Sequence, residues 1–270
     1  MPPKPAIYPR DDAFLHAMPA YIRTLDVAGI KWIGAADQNK AAGLPYLTGL
    51  IVINDPVTAM PLAVMDAAEI TAIRTAAASG VCITQFAPEG WNTVAIVGCG
   101  EQGKYHAQIV QALRPTAVIQ SYDRHPERAA SVALGAKATA SAQDAVNGAD
   151  VVITAIPFAN SSRAEISPSW LTRTNLILPI DFDASVSSAV VSEANLFTVD
   201  SLSQFDYFRT QGHFKGWPNP HSELGSVLDD STNEARVVCC NLGIGALDVA
   251  FADLVYQRAI EAGVGLKLNR

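Results

Sequence analysis

Apolar residues recur along this chain in two rhythms. Over residues 30–34 and 47–53 they form short β-branched and aromatic runs bounded by Gly, Pro and Asn, which predicts strands. Asn54-Asp55-Pro56 predicts a turn, and a further short strand follows Pro61. Asp66, with Glu69 three residues later, gives a capping-box-like start to a helix running to Gly80. From Thr93 the rhythm changes to alternating strand and helix: a strand over 94–97, a helix over 101–113, Pro115 as its stop, then a strand over 117–122. Pro126 opens another helix, Ser141 caps one, and strands follow over 150–155, 176–180 and 196–199. Near-continuous apolar strands separated by helices predict a parallel sheet covered on both faces. Over 246–262, Leu247, Ala250, Phe251, Leu254, Val255 and Ala259 recur at helical spacing until Gly263. That amphipathic helix is able to return to the first domain.

Composition narrows the function classes. A chain of 270 residues that is 49% hydrophobic and 17% charged buries a large core, divides into about two domains and is not disordered. Its net charge of −7 argues against nucleic acid or an anionic membrane as partner, so an anionic substrate must meet a local group of cations. No apolar run reaches the length of a membrane span, and Met1-Pro2-Pro3-Lys4-Pro5 lacks a signal-peptide core, so a cytosolic location is expected. Cys82, Cys99, Cys239 and Cys240 have neither metal-ligand spacing nor a disulfide framework and are expected to be buried fillers. No metal is expected. His106, His125, His213 and His221 also lack such spacing.

The most specific chemistry lies where the rhythm changes. The apolar run Val94-Ala95-Ile96-Val97 breaks into Gly98-Cys99-Gly100-Glu101-Gln102-Gly103, a Gly-x-Gly-x-x-Gly pattern between a predicted strand and a predicted helix. Gly98 permits a tight turn, Gly100 lets backbone approach a pyrophosphate, Gly103 lets helix pack on strand, and the unpaired helix N–H groups face the anion. Glu101 and Gln102, in the same turn, are candidate cofactor contacts. Asp123 ends the next strand about twenty residues on, where an acid accepts hydrogen bonds from the adenosine ribose and favours NAD over NADP. Two alternatives stay open: Asp123 simply caps the following turn, or Arg124 beside it receives a 2′-phosphate and makes NADP the cofactor.

Three charged residues invite further readings. Arg74 falls on the small, apolar stripe of its helix with Ile70, Ala77 and Ala78, where its planar fork suits a ligand carboxylate. An internal salt bridge to Glu69 or Asp66, or a snorkelling side chain, is the alternative. Lys31 is a cation inside a strand, either a ligand contact or a solvated edge residue. Asp181 ends the run over 175–180, at the strand edge where ligands of parallel sheets bind, and partial burial there would raise its pKa and suit a proton shuttle. The alternative is that Asp181 and Asp183 together solvate a loop.

These segments in combination resemble the ornithine cyclodeaminase and mu-crystallin family, which includes archaeal alanine dehydrogenases and ketimine reductases. The resemblance covers almost the whole chain: Met1-Pro2-Pro3-Lys4, Ala17-Met18-Pro19-Ala20, Gly29-Ile30-Lys31-Trp32, Pro61-Leu62-Ala63-Val64-Met65-Asp66, Arg74-Thr75-Ala76-Ala77, the glycine pattern, Glu223-Leu224-Gly225, and Gly243 with Asp248. It implies an α/β fold with a doubly wound Rossmann sheet over 93–235 and a second α+β domain for substrate binding and dimerisation, built from 1–92 with 236–270. It also implies that Lys4, Lys31 and Arg74 together hold a substrate carboxylate and that Asp181 is the catalytic carboxylate. The chain departs from the family at His16, where the alanine dehydrogenases carry Arg, and at Ile156-Pro157, Phe182-Asp183-Ala184-Ser185 and Cys240-Asn241. It also begins at a segment that leading helices precede in other members, so altered dimer packing is expected.

The sequence therefore predicts an NAD-dependent, cytoplasmic, homodimeric oxidoreductase, with NADP possible as cofactor. It moves a hydride at the α-carbon of a small amino or imino acid, with Asp181 and Lys31 as candidate catalytic residues. Two alternatives stand beside this reading. One is a redox-neutral cyclodeaminase that converts ornithine to proline and ammonia. The other is a ligand-binding protein that keeps the cofactor without turnover.

Overall fold

The computed structural model describes residues 4–157, 166–229 and 236–268. Met1, Pro2 and Pro3, part of the resemblance, lie outside the described residues, as do the domain ends expected at residues 235 and 270. The chain forms two compact units, Met1–Arg74 with Gly243–Arg270, and Thr75–Leu242.

The first unit is an antiparallel sheet of five strands in chain order, β1 (Ala6–Arg10), β2 (Ala13–Ile22), β3 (Val27–Ala36), β4 (Leu47–Asn54) and β5 (Pro61–Asp66), with a short helix α1 (Gln38–Ala41) between β3 and β4. Asp55 closes the turn after β4 by accepting the N–H groups of Val57 and Thr58. Asp66 accepts the N–H of Ala68 and starts α2 (Ala68–Phe86). Met18, Ile33, Ile51, Ile53, Ile70, Val249 and Ala252 form the core of this unit.

The second unit follows the alternating pattern: β6 (Thr93–Val97), α3 (Glu101–Leu113), β7 (Val118–Tyr122), α4 (Pro126–Ala130), β8 (Lys137–Ala138), α5 (Ala142–Val146), β9 (Val151–Thr154) and β10 (Leu176–Pro179). Then come α6 (Ser188–Ser192), β11 (Leu196–Val199), α7 (Leu202–Thr210), β12 (Ser222–Glu223) and β13 (Val237–Cys240). All pairings in this sheet are parallel, in the order β12-β11-β13-β10-β9-β6-β7-β8. Successive strand residues point to opposite faces, so two cores form. Val94, Ile96, Val151 and Leu176 enter one, while Ala95, Val97, Val152 and Ile177 enter the other. This is the Rossmann-type parallel sheet with a second domain that the sequence predicts, and the sheet of the second domain is antiparallel. The last helix, α8 (Gly245–Ala262), ends at Gly263 in the left-handed region and packs on β2, β3 and β4 of the first unit.

Several elements differ from their sequence expectation. Helix α2 continues six residues past Gly80 to Phe86, because Gly80 marks a close approach: a Cβ there would lie 2.9 Å from Ile109 Cγ1. Strand β13, assigned from sequence to the domain of both chain ends, lies inside the parallel sheet between β10 and β11. Lys31 is no edge residue, since β3 is the central strand of its sheet and the side chain sits on the covered face, in register with Met18 and Ile51. All four cysteines are buried, and none is in a disulfide among the described residues. Burial beside Asp123 pushes the Cys99 thiol up to about 12.

Candidate active site

In the second unit, the glycine turn has the geometry that a dinucleotide requires. Gly98 sits at φ +96°, where a side chain would meet the Ala155 carbonyl at 2.5 Å, and a Cβ on Gly103 would lie 2.3 Å from the Gly98 oxygen. Gly100 is the N-cap of α3, no side chain caps that helix, and the space beside Gly100 is open. A cavity of about 130 Å³ lies here, lined by Val97, Gly98, Tyr122, Asp123, Arg124 and Arg128 among others. Gln102 Oε1 is buried without a hydrogen-bond partner among the described residues, while Glu101 is exposed in the first turn of α3. The turn, the uncapped helix start and the orphaned acceptor fit a pyrophosphate-bridged dinucleotide.

Asp123 has a structural duty that its sequence position left open. Oδ2 accepts the N–H of Cys99 at 2.8 Å, which fixes the glycine turn, and Oδ1 accepts the N–H of His125 at 2.9 Å. Each oxygen keeps a lone pair for a ribose hydroxyl. Arg128, on the same cavity, was not foreseen from sequence, because an Arg in a short exposed helix looks like solvated surface.

Asp181 lies just beyond β10, only 3% exposed. It accepts from Thr154 Oγ1 at 2.7 Å, Ser185 Oγ at 2.5 Å and the Ile156 N–H at 3.1 Å. Burial pushes its carboxyl up to about 6 against the opposing pull of these donors. It does not solvate a loop with Asp183, which is turned to the Phe214 N–H at 2.7 Å and to His213 Nδ1 at 3.3 Å. His106 is also buried, with Nε2 2.9 Å from Ser79 Oγ and Nδ1 2.7 Å from the Gln102 carbonyl oxygen. Burial lowers its pKa to about 4 and keeps the ring neutral.

In the first unit, the cations expected from separate segments converge. Lys31, 1% exposed, donates from Nζ to Asp248 Oδ1 at 2.7 Å and to Thr71 Oγ1 at 3.3 Å. Arg74 Nε lies 2.8 Å from the same Asp248 oxygen, an ion pair whose N–H is not aimed for a hydrogen bond. Arg74 therefore pairs with Asp248 rather than with Glu69 or Asp66. Lys4 donates to the carbonyl oxygen of Gly243 at 3.4 Å. A Cβ on Gly243 would lie 3.0 Å from both Arg74 Nη atoms, so the glycine gives the guanidinium its space. His16 adds no charge: burial, with Lys4 and Lys31 nearby, lowers its pKa to about 4.

The charge balance in this cluster is uneven. Lys31 and Arg74 share one oxygen of one carboxylate, Asp248 Oδ2 is buried without a hydrogen-bond partner among the described residues, and Lys4 adds a further cation. Burial and the Arg74 charge bring the Lys31 pKa down to about 7, although Asp248 pulls it up. Sequence reasoning missed Asp248 as a site residue. An acid in the first turn of a helix looks like a response to the helix dipole.

The model of the ornithine cyclodeaminase/mu-crystallin family matches residues 1–263. The chain belongs to that family. Among its relatives, the nodulation efficiency protein NfeD of Rhizobium meliloti is 34% identical, over 98% of this chain and 86% of its own length. The alanine dehydrogenase of Archaeoglobus fulgidus is 26% identical, over 100% of this chain and 87% of its own. A solved structure of Thermococcus litoralis Delta(1)-pyrroline-2-carboxylate reductase, in complex with NADH and L-proline, superposes with a TM-score of 0.85. It is 25% identical and covers 99% of this chain and 89% of the reductase chain. Among the described residues, no helix of this family member is long and apolar enough to cross a membrane, and no group of His, Cys, Asp and Glu is arranged to hold a metal.

Proposed function

We propose that the protein is an NAD(P)-dependent oxidoreductase of the cytoplasm that acts at the α-carbon of a small amino or imino acid. The observation that carries this reading is that two buried cations, Lys31 and Arg74, share a single oxygen of Asp248, with Lys4 bonded to Gly243 beside the Arg74 guanidinium. Buried charge without compensation is costly, so the cluster favours an anion, and the planar Arg74 fork suits a carboxylate. The nicotinamide, when bound, gives or takes the hydride. Gly98, Gly100, Gln102, Gly103 and Asp123 would hold the dinucleotide, with Arg124 and Arg128 at its adenosine end. Lys31, poised to change protonation near neutral pH, and Asp181 are each candidates for the group that exchanges the proton accompanying hydride transfer.

The test is to follow NADH absorbance with purified protein, cyclic imino acids in one series and 2-oxo acids with ammonia in another. Absorbance loss that depends on the substrate supports the reading. Conversion of ornithine with no net absorbance change selects the cyclodeaminase, and cofactor binding without turnover in every series selects a binding protein. A pH profile tests the carboxylate. If Asp181 works as a base, kcat falls as pH drops through about 6, the pKa that burial gives it, and Asp181→Asn abolishes that limb. An acid limb that survives in the variant assigns the titration elsewhere.

We also propose a homodimer, supported by the uncovered face of the five-stranded sheet. Residues that alternate with the buried set, Trp32, Leu50, Leu62 and Val64, form an exposed apolar row on the face opposite Ile33, Ile51 and Ile53. The partner is a second copy of this chain, as the family resemblance implies. Val64→Asp is expected to convert the dimer to a monomer in sedimentation velocity. An unchanged dimer would move the interface elsewhere.

A further inference from the structure

Asp181 is carried by a tight turn, in which the Ala184 N–H donates to the Asp181 carbonyl oxygen at 3.2 Å and the Ser185 hydroxyl returns to the Asp181 carboxylate at 2.5 Å. Inside that turn Phe182 sits at φ +60°, a left-handed conformation that is costly for a bulky side chain and persists only where its surroundings impose it. Two sets of contacts impose it. The buried Phe182 ring lies edge-on to Phe208, with centroids 5.1 Å apart, and tilted against Phe214 at 5.5 Å. Asp183 Oδ2 accepts the Phe214 N–H at 2.7 Å, and Oδ1 lies 3.3 Å from His213 Nδ1. Asp183 thereby ties the turn after β10 to the segment after α7.

We propose that Asp183 is a positioning residue: its bonds to residues 213 and 214 hold Phe182 in the left-handed region and so keep the Ser185 hydroxyl on the Asp181 carboxylate. The inference rests on Asp181 as the proton-exchanging carboxylate of the reading above. Removing Asp183 has two effects of opposite sign, which separates geometry from charge. Burial raises the Asp181 carboxyl and the Ser185 bond is the largest opposing pull, so losing that bond raises the pKa further. Losing a neighbouring negative charge instead lowers it. The other ionisable groups around the turn are His213, positive only when protonated, and Arg209 of α7, which bonds Asn219 and the Trp217 carbonyl oxygen. β13 brings the Cys240 thiol, which donates to the Pro179 carbonyl oxygen at 3.7 Å, and β9 brings the uncharged Thr154 hydroxyl.

Carbon-13 NMR of protein labelled at the aspartate carboxyl carbon, with the Asp181 resonance assigned by its loss in Asp181→Asn, follows this titration directly and without turnover. Asp183→Ala is expected to move the midpoint upward by about one pH unit, and Ser185→Ala to move it by a similar amount. The double variant should move it no further, because both changes remove the same bond. Asp183→Asn, which keeps an acceptor for the Phe214 N–H and removes the charge, should leave the midpoint at or below its native value. Asp183→Ser, with a side chain too short for that bond, carries the same expectation as Asp183→Ala and replaces it where the alanine variant does not fold. A midpoint that stays or falls in Asp183→Ala, or shifts that add in the double variant, would overturn the proposal and leave Asp183 as a structural tie alone. The kcat profile tests the underlying reading separately. An upward NMR midpoint beside an acid limb of kcat that does not move would refute Asp181 as the proton-exchanging group while the positioning role stands.

Discussion

Replacing Arg74 with Met is expected to raise KM for a carboxylate substrate steeply and to lower kcat/KM by about 100-fold or more. Truncating one member of a desolvated charge pair commonly costs about 2–5 kcal/mol, and 100-fold corresponds to about 2.7 kcal/mol of that. Met keeps the apolar stem, and Asp248 keeps Lys31 as its counter-ion, so the fold is expected to survive. NADH affinity should not change, because the dinucleotide turn belongs to the second unit and Arg74 ends the first segment of the first unit. Steady-state kinetics beside a cofactor titration separates the two effects. An unchanged KM would remove Arg74 from substrate binding.

Asp248→Ala is expected to be the most destabilising substitution in the cluster. It removes the single carboxylate that neutralises Lys31 and Arg74, both buried, and breaking a buried pair in this way costs about 3–5 kcal/mol. The loss should depend on pH in a defined direction. Lys31 has a folded pKa of about 7 against the ordinary lysine value of 10.5, so between those values the unfolded chain binds more protons and stability rises with pH. Without Asp248 the folded pKa falls further and the rising window extends to lower pH. Denaturant melts at pH 6 and pH 8.5 should therefore show the variant's larger deficit at pH 6. Equal deficits at both values would mean that Lys31 is not the charge left exposed to the apolar interior.

The sequence revealed these two variants unequally. Helix α3 matched its predicted span, because strand, glycines and helix reinforce one another over ten consecutive residues. The Rossmann strands were equally clear where buried on both faces. Strands β1 and β2 went unrecognised. Pro9 and Pro19 punctuate them, and small residues weaken their alternation, although β2 pairs with β3 along its whole length. Tertiary pairing overrode a weak local signal. Strand β13 was assigned to the wrong domain because four apolar residues carry no mark of their sheet.

The same division runs through the candidate site. Lys4, Lys31 and Arg74 were named from sequence, and the structure brings them to one cluster around Gly243 and Asp248. What no spacing could reveal was the stoichiometry of charge. Residues 31, 74 and 248 meet only after β3, α2 and α8 have packed, and an acid in the first turn of a mostly apolar helix carries no sign of its two partners. The triple anchoring of Asp181 by Thr154, Ile156 and Ser185 was hidden for the same reason. Hydrogen bonds between strand ends depend on register, and register is a property of the folded sheet.

The central claim is that the uncompensated charge around Asp248 exists to receive a carboxylate. Its most direct test compares kcat/KM for 1-pyrroline-2-carboxylate with that for 1-pyrroline, the same cyclic imine without the carboxylate, in the native protein and in Arg74→Met. The native protein is expected to prefer the carboxylate by at least 100-fold and the variant to lose most of that preference. Equal rates on both imines in the native protein, or a preference that Arg74→Met leaves intact, would contradict the account.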